Sequence, residues 1–171
     1  MRITISGRPG SGKSTIGKLL AQKRGYKRYS TGDYMRKLAQ EENMDIYEFS
    51  KKAELTDEID KKLDDWQKSL NQEDNFILDA RLGYHFIQDC IKIYLDVSEK
   101  EAARRIASRE NEDFEKILKL TQRRIKSEKK RYKELYGLNY EDVSQYDLVI
   151  DTDKYEPKEI LTIVETFISK T

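Results

Sequence analysis

The sequence predicts an α/β domain, a five-stranded parallel sheet flanked by helices, and three observations predict it. First, Gly7-Arg8-Pro9-Gly10-Ser11-Gly12-Lys13-Ser14-Thr15 stands between a β-branched run, Arg2 to Ser6, and an amphipathic stretch carrying Ile16, Leu19 and Leu20. Within it, Gly7-x-x-x-x-Gly12-Lys13-Ser14 matches the phosphate-binding P-loop pattern at every fixed position, in the strand-then-helix setting that pattern requires. Second, strand-like and helix-like segments alternate along the chain, the order that builds parallel sheets. Third, Phe76-Ile77-Leu78 is continuously apolar, as expected for a strand covered on both faces.

Each element has its own signal. The first helix runs from Lys13 to Lys23 and Gly25 stops it. Tyr26 to Ser30 is a short second strand. Thr31-Gly32-Asp33 reads as a turn with a helix cap, followed by a helix from Tyr34 to about Glu42. Asp45 and Thr56 read as further N-caps, opening helices over Ile46 to Ala53 and Glu58 to Leu70. The polar stretch Asn71 to Asn75 separates these from the strand Phe76 to Leu78. Ile91 to Val97 is the next strand. Ser98-Glu99-Lys100-Glu101 resembles a capping box and starts a helix to Glu110. After a polar break at Asn111 to Asp113, a long helix covers Phe114 to Tyr136, ended by Gly137. Leu148 to Asp151 is the last strand, and Pro157 opens the final helix, Lys158 to Ser169. The helical block from Tyr34 to Leu70 is too large for a simple crossover and reads as an insertion able to move against the sheet.

The chain has 171 residues, enough for one domain with a real core. Charged residues make up 38%, but the signs nearly cancel to +1, so overall charge argues for neither a nucleic-acid nor a membrane partner. The lone Cys90 excludes an intrachain disulfide and reads as a buried, inert thiol; the lone His85 excludes a multi-histidine metal site. No signal peptide and no membrane-length apolar run is seen, so a cytoplasmic protein is expected. No long exposed apolar stripe demands a partner, and a monomer is expected.

The chemistry starts at the loop. A phosphate chain is wrapped by converging backbone N–H groups, so side chains must be absent where the loop curls, at Gly7, Gly10 and Gly12. Lys13 reaches the outer phosphates, the Ser14 hydroxyl is placed for Mg²⁺, and the helix N-terminus adds its dipole. Arg36 lies one turn into the helix after the second strand, near the crevice at the strand ends, with a fork suited to phosphate. Asp79 ends the third strand, where it can hold a water on Mg²⁺, and Arg81 can grip a second phosphate. Arg105 and Arg109 share one helix face, and Arg124, Glu128 and Arg131 form one stripe of the long helix. The core stripe of that helix is expected at Phe114, Leu118, Ile125 and Tyr132, leaving the arginines beside it. Two arginines with an acid between them suit a phosphate and a ribose hydroxyl; a Glu128–arginine ladder satisfied within itself is the alternative. Together these sets fit phosphoryl transfer between two nucleotides, where catalysis is positioning plus charge neutralisation. There is no N-K-x-D element and no D-x-x-G switch after a strand, as a GTPase would need.

With these residues in view, the chain resembles the nucleoside monophosphate kinases, most closely the archaeal-type cytidylate kinases. The likeness spans the whole length. It rests on GRPGSGKST, STGDYMR, LDARL, RRIASRE, RRIKSEKKRYKELYG and YDLVIDT, the last two being the most specific. It implies a P-loop kinase with sheet order 2-3-1-4-5, a core of residues 1–31, 72–110 and 126–171, a monophosphate-binding insertion at about 32–71 and a short lid at about 111–125. It implies ATP on the loop from Gly7 to Thr15, with Arg105 near the adenine and Arg109 at the phosphates. CMP, with dCMP as a second acceptor, would meet Thr31, Arg36, Arg81, Arg124, Glu128 and Arg131. Catalysis would rest on Lys13, Arg36, Arg109, Arg124 and Arg131, with Mg²⁺ at Ser14 and, through water, Asp79. Two departures stand out: Asp79-Ala80-Arg81 replaces the usual Glu-Gly-Arg, and Arg8 stands where Pro is usual. Adenylate or another monophosphate kinase is the nearest alternative. A nucleic-acid-binding protein switched by ATP is the alternative of another class, supported only by the basic helix from Lys119 to Lys133.

Overall fold

β1 (Arg2–Gly7) runs through the middle of the sheet, buried at every residue after the first. In the computed structural model, which describes all 171 residues, β3 (Phe76–Asp79) pairs with one side of β1 and β4 (Cys90–Asp96) with the other. β2 (Lys27–Ser30) and β5 (Leu148–Asp151) form the edges, giving the order β2-β3-β1-β4-β5 with every pairing parallel. The register sets Ile5 opposite Asp79 and Gly7 opposite Leu95. The loop after β1 and the carboxyl end of β3 therefore open at the same edge, where open parallel sheets carry their ligands.

One face of the sheet presents Ile3, Ile5, Ile77 and Ile93 to α1 (Lys13–Arg24) and α8 (Pro157–Ile168), which add Leu20 and Val164 to the core. Burying each such side chain stabilises the fold by about 1.5–3 kcal/mol. The opposite face is aromatic. Tyr94 packs with Tyr84, Phe86 and Tyr140, and the far end of α7 (Phe114–Tyr136) adds Tyr132 and Tyr136. Tyr84 and Phe86 sit on α5 (Gly83–Phe86), a single turn too short to show a helical period in sequence.

Between β2 and β3, α2 (Thr31–Glu41), α3 (Ile46–Leu55) and α4 (Glu58–Ser69) pack around their own core, with Phe49, Ala53, Ile59 and Leu63 at its centre. On the other side of the crevice, α6 (Glu99–Glu110) lies against the start of α7 through Ala103, Ile106, Ala107 and Ile117. Residues 111–125 are the turn Asn111–Asp113 and the first half of α7, with no separate loop.

Four local expectations are corrected. α2 begins at Thr31, three residues before the expected Tyr34, because the Ser30 side chain accepts from the Asp33 N–H and caps it. Thr56 ends α3 instead of opening α4, whose start at Asp57 has no side-chain cap. Ser98 caps α6 through the Glu101 N–H, but the Glu101 carboxylate turns to Arg104 and Arg105, so the reciprocal half of the box is missing. The fully buried stripe of α7 is Ile117, Thr121, Ile125 and Glu128, with Phe114, Leu118 and Tyr132 only half-buried. That helix crosses from α6 to the crevice, so an acid takes a buried position along it.

Candidate active site

The loop between β1 and α1 closes on itself. Gly7 and Gly10 have φ of 143° and 80°, and a Cβ would stand 2.3 Å from the Leu95 carbonyl oxygen at the first and 2.7 Å from that of Ala102 at the second. Side chains are thus excluded on both conformational and steric grounds. The Lys13 Nζ donates to the Arg8 carbonyl at 2.7 Å and lies 3.4 Å from the Ser11 Oγ. Lys13 is 6% exposed and has no carboxylate partner within salt-bridge distance. Burial, reinforced by the Arg81 guanidinium, lowers its pKa well below the usual lysine range. A buried ammonium in this position gains from an anion.

A cleft of about 430 Å³ opens over this loop. Its floor is Lys13, Ser14 and Asp79. Ser14 Oγ donates to Asp79 Oδ2 at 2.6 Å, and Arg28 Nη2 donates to the same oxygen at 2.8 Å. A hydroxyl and a carboxylate are hard oxygen donors suited to Mg²⁺, which is commonly held by one or two protein oxygens together with substrate phosphates. No group of three or more acids, histidines or cysteines occurs elsewhere to hold a metal.

The walls carry arginines in two arrangements. Arg81 and Arg124 each donate through Nε to opposite oxygens of Glu128, at 2.9 and 3.0 Å. Burial opposes the Glu128 charge, yet Arg81 and Arg124 outweigh it and hold its carboxyl down at about 2. Arg131 donates through Nε to Asp60 at 3.1 Å and through Nη1 to Ser127 at 3.2 Å. Each anchors through Nε, so most of the terminal nitrogens remain for a ligand. By contrast, the Arg36 side chain is 51% exposed and held only by Asp33, and that of Arg109 is 66% exposed and held only by Glu110. Arg105 spans from the loop to the turn after β5, lying 3.4 Å from the Gly10 carbonyl and donating to the Thr152 carbonyl at 2.9 Å.

The cleft thus brings together Lys13, Ser14, Thr15, Thr31, Arg36 and Asp79 with all the arginines expected from α6 and α7, Arg81 and Glu128. Pro9, Gly10 and Gly12 line it as well. Gly7, Arg8 and Ser11 do not: the Arg8 guanidinium is engaged by Glu141 at 2.9 Å and Glu99 at 3.9 Å, and Ser11 is fully buried beneath the loop. The Ala80 methyl also faces away, packing with Leu70, Phe76 and Leu78. The basic helix segment from Lys119 to Lys133 is interrupted by acids: Lys129 pairs with Glu141 at 2.5 Å and Lys130 with Glu134 at 3.9 Å.

Several residues escaped the sequence reading. Arg28 holds Asp79 from β2 and bridges to Asp33 at 2.9 Å. Asp60, Asp64 and Gln67 form an i, i+4, i+7 stripe of α4 lining the cleft. That spacing beside the apolar Ile59 and Leu63 was the signal that could have found them. The stripe reaches α7 at two places, since the Tyr136 hydroxyl donates to Asp64 at 2.8 Å as Arg131 does to Asp60. Tyr47 of α3 closes the outer side, its hydroxyl 3.3 Å from Glu110.

The chain matches the model of the cytidylate kinase-like family over residues 2–154. A curated cytidylate kinase of Sulfurisphaera tokodaii is 39% identical, with 99% of this chain and 96% of that protein covered. One from Methanocaldococcus jannaschii is 40% identical, with 98% and 97% covered. Among solved structures, a shikimate kinase from Bacteroides thetaiotaomicron superposes with a TM-score of 0.68 at 13% identity, covering 99% of this chain and 98% of its own, a likeness of fold alone. No helix is long and apolar enough to cross a membrane.

Proposed function

The chain belongs to the cytidylate kinase-like family, and from that premise we propose that it transfers the γ-phosphate of MgATP to CMP, with dCMP as a second acceptor, giving ADP and CDP or dCDP. The observation that carries the reading is the buried Lys13, which lacks an acid partner and sits on the floor of a cleft walled by arginines from two sides. An oxygen of the acceptor phosphate attacks the γ-phosphorus as the bond to the β-phosphate bridging oxygen breaks, leaving ADP. That nucleophile is already anionic, so the site needs no strong base.

Lys13 and the loop N–H groups stabilise charge on the transferring group. Arg81, Arg124 and Arg131, already oriented by Glu128 and Asp60, offer their terminal nitrogens to its oxygens and to the acceptor phosphate. Arg36 exchanges Asp33 for the acceptor phosphate, and Arg109 exchanges Glu110 for the donor phosphates. Arg105 flanks the donor from the loop side. Ser14 and, through water, Asp79 would hold Mg²⁺, which would offset negative charge on the phosphates. Closure of the insertion over the cleft would keep water from the γ-phosphate.

A coupled assay with MgATP across CMP, dCMP, UMP and AMP tests this. CMP is expected to support the highest kcat/KM. Preferred turnover of AMP would replace the acceptor, and ATP turnover stimulated by none of the four would overturn the activity.

A further inference from the structure

We infer that the acceptor's base is read by the polar stripe of α4, where Asp64 and Gln67 select a pyrimidine carrying an exocyclic amino group. This rests on the proposed kinase activity and assigns the base-contact residues within it. Gln67 is 4% exposed, lines the cleft, makes no side-chain hydrogen bond, and its Oε1 is a buried acceptor without a partner. Buried polar groups are almost always satisfied, so an amide with no protein partner on a side chain that lines a cleft marks a place for a ligand's polar group.

Asp64 stands one helical turn before it on the same face. Its Oδ2 accepts from the Tyr136 hydroxyl at 2.8 Å, which fixes the carboxylate and leaves Oδ1 as a second acceptor. Phe86, Tyr136 and Leu63 supply flat and apolar surface on either hand. The stripe also has the right reach. Asp60, bonded to the phosphate-handling Arg131, lies seven residues before Gln67, about 10 Å along a helix at 1.5 Å per residue. That is about the span from a nucleotide's phosphate to the far edge of its base.

The chemistry then separates the pyrimidines. Cytosine presents an amino donor at C4 beside the N3 acceptor. The amino group meets the acceptors of Asp64 and Gln67, and the Gln67 amide N–H can reach N3. Uracil presents a carbonyl at C4 and an N–H at N3; the Gln67 amide can turn over to meet both, but the Asp64 carboxylate is acceptor-only and would be left facing the carbonyl unpaired. Sites built on hydrogen bonds reject such mismatches strongly.

The test measures kcat/KM for CMP and UMP, with equilibrium binding by calorimetry where turnover is too slow, in the wild type, Asp64→Asn and Gln67→Leu. In Asp64→Asn the amide carbonyl takes the Tyr136 hydroxyl and the amino group turns to the base. The CMP/UMP ratio is expected to fall about 10- to 100-fold there, partly through a gain for UMP. In Gln67→Leu, CMP is expected to lose about 10-fold or more with the KM for ATP within twofold of wild type. Gln67 has no protein partner to orphan, so this variant carries the test if Asp64→Asn does not fold. In a protein that phosphorylates CMP, a CMP/UMP ratio within twofold of wild type in Asp64→Asn, or a kcat/KM for CMP within twofold of wild type in Gln67→Leu, would overturn this assignment and leave the kinase reading standing. A wild type that phosphorylates no monophosphate would sink both.

Discussion

The arginines of the inner wall and those of the rim are held in opposite ways. Arg81, Arg124 and Arg131 are largely buried and tied to acids that are themselves buried, Glu128 and Asp60. Arg36 and Arg109 are more than half exposed and paired only with neighbours on their own helices. The inner set has surrendered its side-chain freedom during folding, at the cost of burying two carboxylates. The rim set keeps its freedom and, on the proposed function, would give it up only on meeting a phosphate. Inner substitutions should therefore damage kcat and stability together, and rim substitutions should raise KM in a protein that folds as before.

The largest effect on activity is expected at the floor between the two sets, in Lys13→Ala. It removes the one floor cation with no competing acid, and kcat is expected to fall about 10³-fold, the scale of losing a main charge-stabilising donor. The melting temperature should hold or rise, since the cost of burying an ammonium with no acid partner offsets its bond to the Arg8 carbonyl. Full activity in the folded variant would break the comparison at its root.

Glu128→Ala comes next. Arg81 and Arg124 would be left facing each other without their shared acid, a loss of about 3 kcal/mol in stability by analogy with broken buried pairs. Because the Glu128 carboxyl is held at about 2, its contribution is full above the ordinary glutamate range and drains away as pH falls towards that value. Glu128→Gln should therefore flatten the acid limb of a stability-against-pH curve between about pH 4.5 and 2. An unchanged limb would mean that the pair adds nothing to the folded state.

Arg36→Ala addresses the rim. The KM for CMP is expected to rise about 10-fold, one lost phosphate contact, with the KM for ATP within twofold and the melting temperature unmoved. A larger rise for ATP than for CMP would place Arg36 on the wrong nucleotide.

The division between legible and illegible residues has a physical cause. The loop from Gly7 to Thr15 could be read because its function is written in consecutive residues, each glycine being demanded by backbone geometry alone. The sheet could be read because continuous apolar runs have few alternatives to a covered parallel strand. Arg36 and the stripe Arg124, Glu128 and Arg131 were visible because a helix brings fixed spacings together. What spacing could not supply was partnership across elements. Glu128 looked like an acid between two arginines of its own helix, yet its second partner is Arg81, from the end of β3, and Arg131 turns to Asp60. Arg28 was unremarkable on a short edge strand until β2 and β3 were set side by side, with Ser30 opposite Asp79. Thr56 was misread because a good capping residue also suits the extended position after a helix.

The smallest effect concerns the proton on Lys13. Burial and Arg81 depress its pKa, so in the free cleft the ammonium is less favoured than in an ordinary lysine. Bound phosphate reverses that preference. As pH rises through the lowered value, the free protein releases this proton first and ATP binding must take it back, so affinity declines and binding becomes coupled to proton uptake. Calorimetry of ATP binding over a series of alkaline pH values, in two buffers of different ionisation enthalpy, should show proton uptake that grows as pH rises. Lys13→Arg carries a guanidinium that stays charged throughout and should abolish the buffer dependence. Identical heats in the two buffers for the wild type would mean that Lys13 already holds its proton in the free cleft and meets its phosphate charged.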